Sequence, residues 1–137
     1  MSPVRTVVVE DYKPFRRLVC STLGKRQGLQ IICEVSDGLE AVQKAKELKP
    51  DLIVLDLGLP TLNGIEASRQ IHKVAPDSKI IFVSVESSAD VVQEALSSGG
   101  LGYVAKAKVG GDLLLAVEAV LDGRPFVSNG LITNSRG

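Results

Sequence analysis

Apolar positions along the chain fall into two alternating patterns. Short runs rich in β-branched residues read as strands, and longer stretches with apolar residues three and four apart read as amphipathic helices. "VRTVVVE" (4–10) predicts the first strand. "KPFRRLVCSTLGKR" (13–26) predicts a helix with Phe15, Leu18, Val19, Thr22 and Leu23 inward and Pro14 in its first turn. "LQIICEV" (29–35) is a second strand, and Asp37 then caps a helix carrying Leu39, Val42, Ala45 and Leu48 that Pro50 stops. "DLIVLD" (51–56) is the third strand, followed by the helix "GIEASRQIHKVAP" with Ile65, Ser68, Ile71 and Val74 inward. "SKIIFVSV" (78–85) and "LGYVAK" (101–106) predict two further strands, with the helix "SSADVVQEALSSGG" between them. A last helix, "GGDLLLAVEAVLDG", turns Leu114, Val117, Val120 and Leu121 toward the core.

Five strand–helix units in strict alternation, with nearly all-apolar strands, imply an α/β fold. Its parallel sheet should be covered by helices on both faces. The 137 residues suit one domain with a full core. Residues 124–137, "RPFVSNGLITNSRG", read as a C-terminal tail or truncated linker beyond a domain spanning 1–123.

Charge narrows the function. Lys plus Arg and Asp plus Glu number 16 each, so the formal net charge is zero and the basic excess of a nucleic-acid binder is missing. No run approaches membrane-spanning length and no signal-peptide pattern opens the chain, so a cytoplasmic protein without a membrane partner is expected. Cys20 and Cys33 lie among apolar residues and read as reduced, buried thiols. His72, the single histidine, falls late in a helical pattern and reads as a surface residue.

Candidate chemistry follows from the sheet, because ligands of open parallel sheets bind at the carboxyl ends of the strands. Strand one ends in Glu10 and Asp11, strand three in Asp56, strand four in Ser84 and strand five in Lys106. Asp56 is the most telling of these, since a hydrophobic strand that ends on a carboxylate needs that group hydrated, paired or ligated. Three crowded carboxylates raise one another's pKa or bind a cation, and an oxygen-only set suits Mg²⁺. A metal, an ammonium and a hydroxyl around a carboxylate make a site for a tetrahedral dianion, which the carboxylate can attack to form an acyl phosphate.

These residues, together with "VVVED", "LIVLDLGLP", "NGIE", Ser84 after "IIFV" and "GYVAK", resemble the receiver domains of two-component response regulators. Around "GYVAK" and "LLLAVEAVLDGRPFVS" the chain is most similar to NarL/FixJ-type receivers. The resemblance implies a flavodoxin-like (βα)5 doubly wound sheet with strand order 2-1-3-4-5, and phosphorylation of Asp56 by a sensor histidine kinase. It implies Mg²⁺ held by Asp11, Asp56 and the Gly58 carbonyl, with Glu10 acting mainly through water. Ser84 and Lys106 would grip the phosphoryl oxygens. Tyr103 matches the aromatic switch residue, expected to turn inward as Ser84 moves toward the phosphoryl group, and the output would be a downstream protein partner or a homodimer. Such receivers usually continue into a LuxR-type DNA-binding domain; this chain reads as a stand-alone or truncated receiver that does not itself bind DNA.

Some positions depart from the family pattern. Ala107 follows the lysine where proline is common, Glu10 stands where aspartate is common, and Gly100 replaces a frequent alanine and is expected to loosen the approach to strand five. Gly58 stands two residues after Asp56. A haloacid-dehalogenase-like phosphatase would need a second acid there, which weighs against that alternative. A degenerate receiver acting only as an interaction module is the other alternative, and the complete set of site residues weighs against it.

Overall fold

A computed structural model describes residues 2–129 and 131. Its elements alternate as β1 Val4–Val9, α1 Lys13–Leu23, β2 Leu29–Val35, α2 Gly38–Leu48, β3 Leu52–Asp56, α3 Gly64–Val74, β4 Lys79–Ser84, α4 Ala89–Ser97 and β5 Gly102–Ala105. A 3-10 turn over Lys106–Lys108 then leads into α5 Val109–Leu121 and a short β6 Phe126–Val127. The strands form one sheet in the order β2-β1-β3-β4-β5-β6, every pair parallel.

The buried strands show why their sequences are continuously apolar: each face of the sheet is covered, so successive residues point into different cores. Val7, Val9, Ile53, Leu55, Ile80, Phe82 and Tyr103 meet Ala41 and Ala45 of α2, Ala67 and Ile71 of α3, and Val92 and Ala95 of α4. Val8, Leu52, Val54, Ile81, Val83 and Val104 meet Val19 and Leu23 of α1 and Leu113, Ala116, Val117 and Val120 of α5. Three helices start where the sequence supplies an acceptor. Asp37 takes the Glu40 N–H, Asn63 the Glu66 N–H, and Ser88 the Val91 N–H.

Several expectations shift by a residue or more. Leu18 and Leu39 are exposed; α2 instead turns Ala41 inward beside the expected Ala45, with Val42 and Leu48 partly buried against the same core. In α5 Val117 and Val120 are buried as expected, and Leu113 completes their stripe one turn earlier in place of Leu114, which is half-buried. Gly100 loosens nothing. A Cβ there would lie 2.2 Å from Cε2 of Phe82, so the glycine lets that ring press against the backbone before β5. Both cysteines are half-buried free thiols, and burial pushes the Cys20 thiol up to about 11. His72 is exposed, as expected.

The segment read as a tail differs most. Phe126 and Val127 pair with Gly102 and Tyr103, so the sheet continues past residue 123. Residues 130 and 132–137 of that segment lie outside the described residues.

Candidate functional site

Chain progression reverses at β1: β2 lies on one side of it and β3 on the other. The loops leaving β1 and β3 therefore diverge and open a cleft at the carboxyl ends of the strands. The cleft, of ≈ 520 Å³, is lined by residues that include Glu10, Asp11, Asp56, Gly58, Ser84 and Lys106. All six cleft residues expected from the sequence thus converge; Tyr103 does not line the cleft.

Glu10 and Asp56 are both buried, at 2 % and 6 % exposure, whereas Asp11 is exposed. Carboxylate oxygens of the three residues lie within 4.8 Å of one another. The Lys106 ammonium stands 3.0 Å from Oε1 of Glu10 and 3.5 Å from Oδ1 of Asp56. The other Glu10 oxygen accepts the Tyr12 N–H at 3.0 Å. Burial pushes the Asp56 carboxyl above its ordinary range; the Lys106 charge and the Gly58 N–H pull against that, and Asp11 adds to it. Burial likewise raises Glu10, with the Tyr12 N–H and Lys106 opposing. One ammonium facing three carboxylates leaves the cleft short of positive charge, which is the electrostatic case for a cation.

The backbone that carries Asp56 is held by close packing against the start of α3. Gly64 opens α3 directly beneath it, and a Cβ on Gly64 would fall 2.1 Å from the Asp56 carbonyl oxygen. The Gly64 N–H donates to the Leu57 carbonyl at 2.7 Å. Between them Thr61 takes φ 71°, rare for a β-branched residue, and the Leu62 N–H donates to the Pro60 carbonyl at 2.7 Å across it. This is a γ-turn of the strained kind, and it folds the chain back within seven residues of Asp56.

Four contributors were not singled out in the sequence. Phe15 lies with its ring centroid 4.6 Å from the Lys106 ammonium, a cation–π contact. Arg16 donates to the Glu10 carbonyl at 2.8 Å and pairs with Glu34 of β2 at 3.2 Å, fixing the end of β1. Glu86 donates its N–H to Ser84 Oγ at 3.0 Å, and its carbonyl accepts the Tyr103 hydroxyl at 2.9 Å. Tyr103 is already inward, with 0 % exposure, so the outward-to-inward turn expected of it has no starting point in this conformation. The fourth, Ser128, bonds to the end of β5. The helical stripe could have flagged Phe15, since it carries the ring to the β1 end of α1. The backbone role of Glu86 leaves no mark in a side-chain pattern, and the Ser128 hydroxyl stands outside any periodic element.

An acidic trio, a lysine and a hydroxyl at the switch point of a 2-1-3-4-5 parallel sheet define a signal-receiver class of protein. The chain belongs to the response regulator receiver domain family, whose pattern matches residues 6–118. It is 30 % identical over 125 residues to the response regulator GacA of Pseudomonas viridiflava, covering 91 % of this chain and 58 % of that one. A LuxR-family two-component response regulator from Aurantimonas sp. SI85-9A1 superposes with TM-score 0.90 at 31 % identity, covering 95 % of this chain and 93 % of that chain. The signal receiver domain of the putative response regulator NarL from Mycobacterium tuberculosis superposes with TM-score 0.85 at 25 % identity, over 90 % of this chain and 100 % of that chain. The likeness to NarL-type receivers is therefore present in structure as well as in wording. The chain spans a little over half the length of several curated relatives it matches. Among the described residues no helix is long and apolar enough to cross a membrane.

Proposed function

We propose that this receiver accepts a phosphoryl group on Asp56 from a phosphohistidine of a sensor histidine kinase. The observation that carries the reading is a buried carboxylate at a strand end whose nearest cation, Lys106, is shared with a second buried acid. An Asp56 oxygen attacks phosphorus, the P–N bond breaks, and its electron pair leaves with the imidazole nitrogen, which takes a proton. Asp56 must be ionised to attack, and the Lys106 ammonium and the Gly58 N–H favour that form against burial. Lys106 then pairs with a phosphoryl oxygen, and the Ser84 hydroxyl, which accepts the Glu86 N–H, donates its own hydrogen to another.

The donor set fits a hard divalent ion: three carboxylates, all oxygen, within reach of one another, with one of them exposed. Asp11 and Asp56 would hold Mg²⁺ directly, with the Gly58 carbonyl, and Glu10 through water. Bound there, the ion would neutralise phosphoryl charge in the transition state. The protein is read as a receiver that turns over only its own phosphoryl group, acting in the cytoplasm. Its output would be a partner protein or a second copy at the face of α4, β5 and α5. Because Tyr103 is already inward, the signal would pass through the Ser84–Glu86–Tyr103 bonds by repositioning Glu86, not by burying a ring. DNA recognition by this chain is not expected from its zero net charge.

Incubation with acetyl phosphate tests the reading. A Mg²⁺-dependent adduct that hydroxylamine cleaves is expected, since an acyl phosphate is labile to that nucleophile. Multiple turnover of the donor without an adduct would favour a phosphatase instead.

A further inference from the structure

The residues after α5 reach back to the end of β5, next to Lys106 of the cleft. Ser128, 1 % exposed, accepts the Ala105 N–H on its Oγ at 3.1 Å and donates its own N–H to the Tyr103 carbonyl at 3.0 Å. Ala105 is the last residue of β5 and immediately precedes Lys106. β5 has only four residues, and beyond Tyr103 its outer edge is held by Ser128 and no longer by strand pairing. A second connection runs through side chains. Val127 and Leu131 pack against the core cluster that contains Tyr103, whose hydroxyl bonds the Glu86 carbonyl beside Ser84. A third is the Lys108 ammonium, which donates to the Asn129 carbonyl.

We propose that Ser128 is a positioning residue for Lys106, and that it couples occupancy of the Asp56 cleft to docking of residues 124–129 on β5. The inference rests on the phosphoacceptor reading above. Lys106 projects from the point that Ser128 fixes, and its ammonium, 3.0 Å from Glu10 and 3.5 Å from Asp56, shifts toward a phosphoryl oxygen when one is bound. That movement loads the Ala105 backbone and hence the Ser128 bond. Coupling of this kind is reciprocal: if the docked segment favours the phosphoryl-bound position of Lys106, a phosphoryl group must tighten the segment by the same factor. The segment is then part of the switch, reporting the state of the cleft to the outer edge of the sheet.

Hydrogen exchange of the full chain, with and without beryllofluoride and Mg²⁺, tests this. In the unsubstituted chain, exchange at Ala105 and across 124–129 should slow about five- to tenfold when the cleft is filled. Ser128→Ala should abolish that slowing and weaken beryllofluoride binding by about the same factor. Val74→Ala, which removes half-buried core volume at the far end of α3, should lower stability yet leave the slowing intact. Ser128→Ala that loses stability but slows like the unsubstituted chain would overturn the coupling. If Ser128→Ala does not fold, the unsubstituted chain decides alone: filling without slowing overturns the coupling. A chain that takes no beryllofluoride overturns the phosphoacceptor reading first, and this inference with it.

Discussion

Replacing Lys106 with methionine removes the one ammonium that faces the two buried carboxylates and keeps a stem of similar length against Phe15. The ammonium is 3.0 Å from Glu10 and 3.5 Å from Asp56, and its side chain is 20 % exposed. At an effective dielectric of about 40, suited to a group in contact with water, these separations give gross attractions of roughly 2.8 and 2.4 kcal/mol. Lysine's own desolvation and lost rotamer freedom offset close to half, so Lys106→Met should cost about 2–3 kcal/mol near neutral pH. The cost should depend on pH in a defined direction. Glu10 and Asp56 both titrate above their ordinary range because burial favours their neutral forms. The native state then binds more protons than the unfolded chain, so stability falls as pH rises from the ordinary carboxylate value to the folded one. Removing Lys106 raises both carboxyls further and widens that window. The loss should therefore be full above it and nearly vanish below the ordinary carboxylate range. Mg²⁺ should restore part of it at neutral pH, acting as the missing counter-charge. Urea melts of both proteins, with chelator or with Mg²⁺, across this pH range provide the measurement. A cost that persists unchanged in acid, where both carboxyls are neutral, would show that Lys106 acts by packing and would refute the electrostatic account.

Other substitutions probe separate parts of the site. Asp56→Asn should abolish labelling while raising apo stability at neutral pH, the gain disappearing in acid; parallel urea melts check it, and lower stability at neutral pH would contradict the burial argument. Asp11→Ala should weaken Mg²⁺ binding by roughly tenfold, one carboxylate ligand giving way to water, as read by titration; unchanged affinity would remove Asp11 from the metal set. Gly64→Ala should cost about 2–3 kcal/mol and slow phosphorylation as well, because relief of the clash with the Asp56 carbonyl moves the nucleophile's backbone. Tyr103→Phe should cost about 1 kcal/mol and leave phosphorylation intact while weakening output, measured as partner binding or self-association of the phosphorylated form.

How far the sequence could be read depended on which interaction decided each feature. The strands and their order of alternation were plain because both faces of the sheet are buried, so runs such as "DLIVLD" have no other use. The convergence of Glu10, Asp56, Ser84 and Lys106 followed from topology alone, since parallel strands deliver their carboxyl ends to one edge. Helix faces were read less well. Leucine is the stronger hydrophobic signal, yet in α2, which packs chiefly against α3, Ala41 and Ala45 are the fully buried side chains and Leu39 is exposed. The pairing of residues 126–128 with β5 was hidden because a two-residue strand has no periodicity, and because Ser128 bonds through one hydroxyl and one N–H. The inward position of Tyr103 was equally illegible: it depends on the Glu86 carbonyl, a backbone group that any residue could supply.

The central claim is that Asp56 carries the phosphoryl group. Peptide mapping by mass spectrometry after treatment with a small phosphodonor and Mg²⁺ tests it most directly. The account predicts one phosphoryl group per chain, on the peptide containing Asp56, absent in Asp56→Asn and absent with chelator. A phosphoryl group on another residue, or equal labelling of Asp56→Asn, would contradict it.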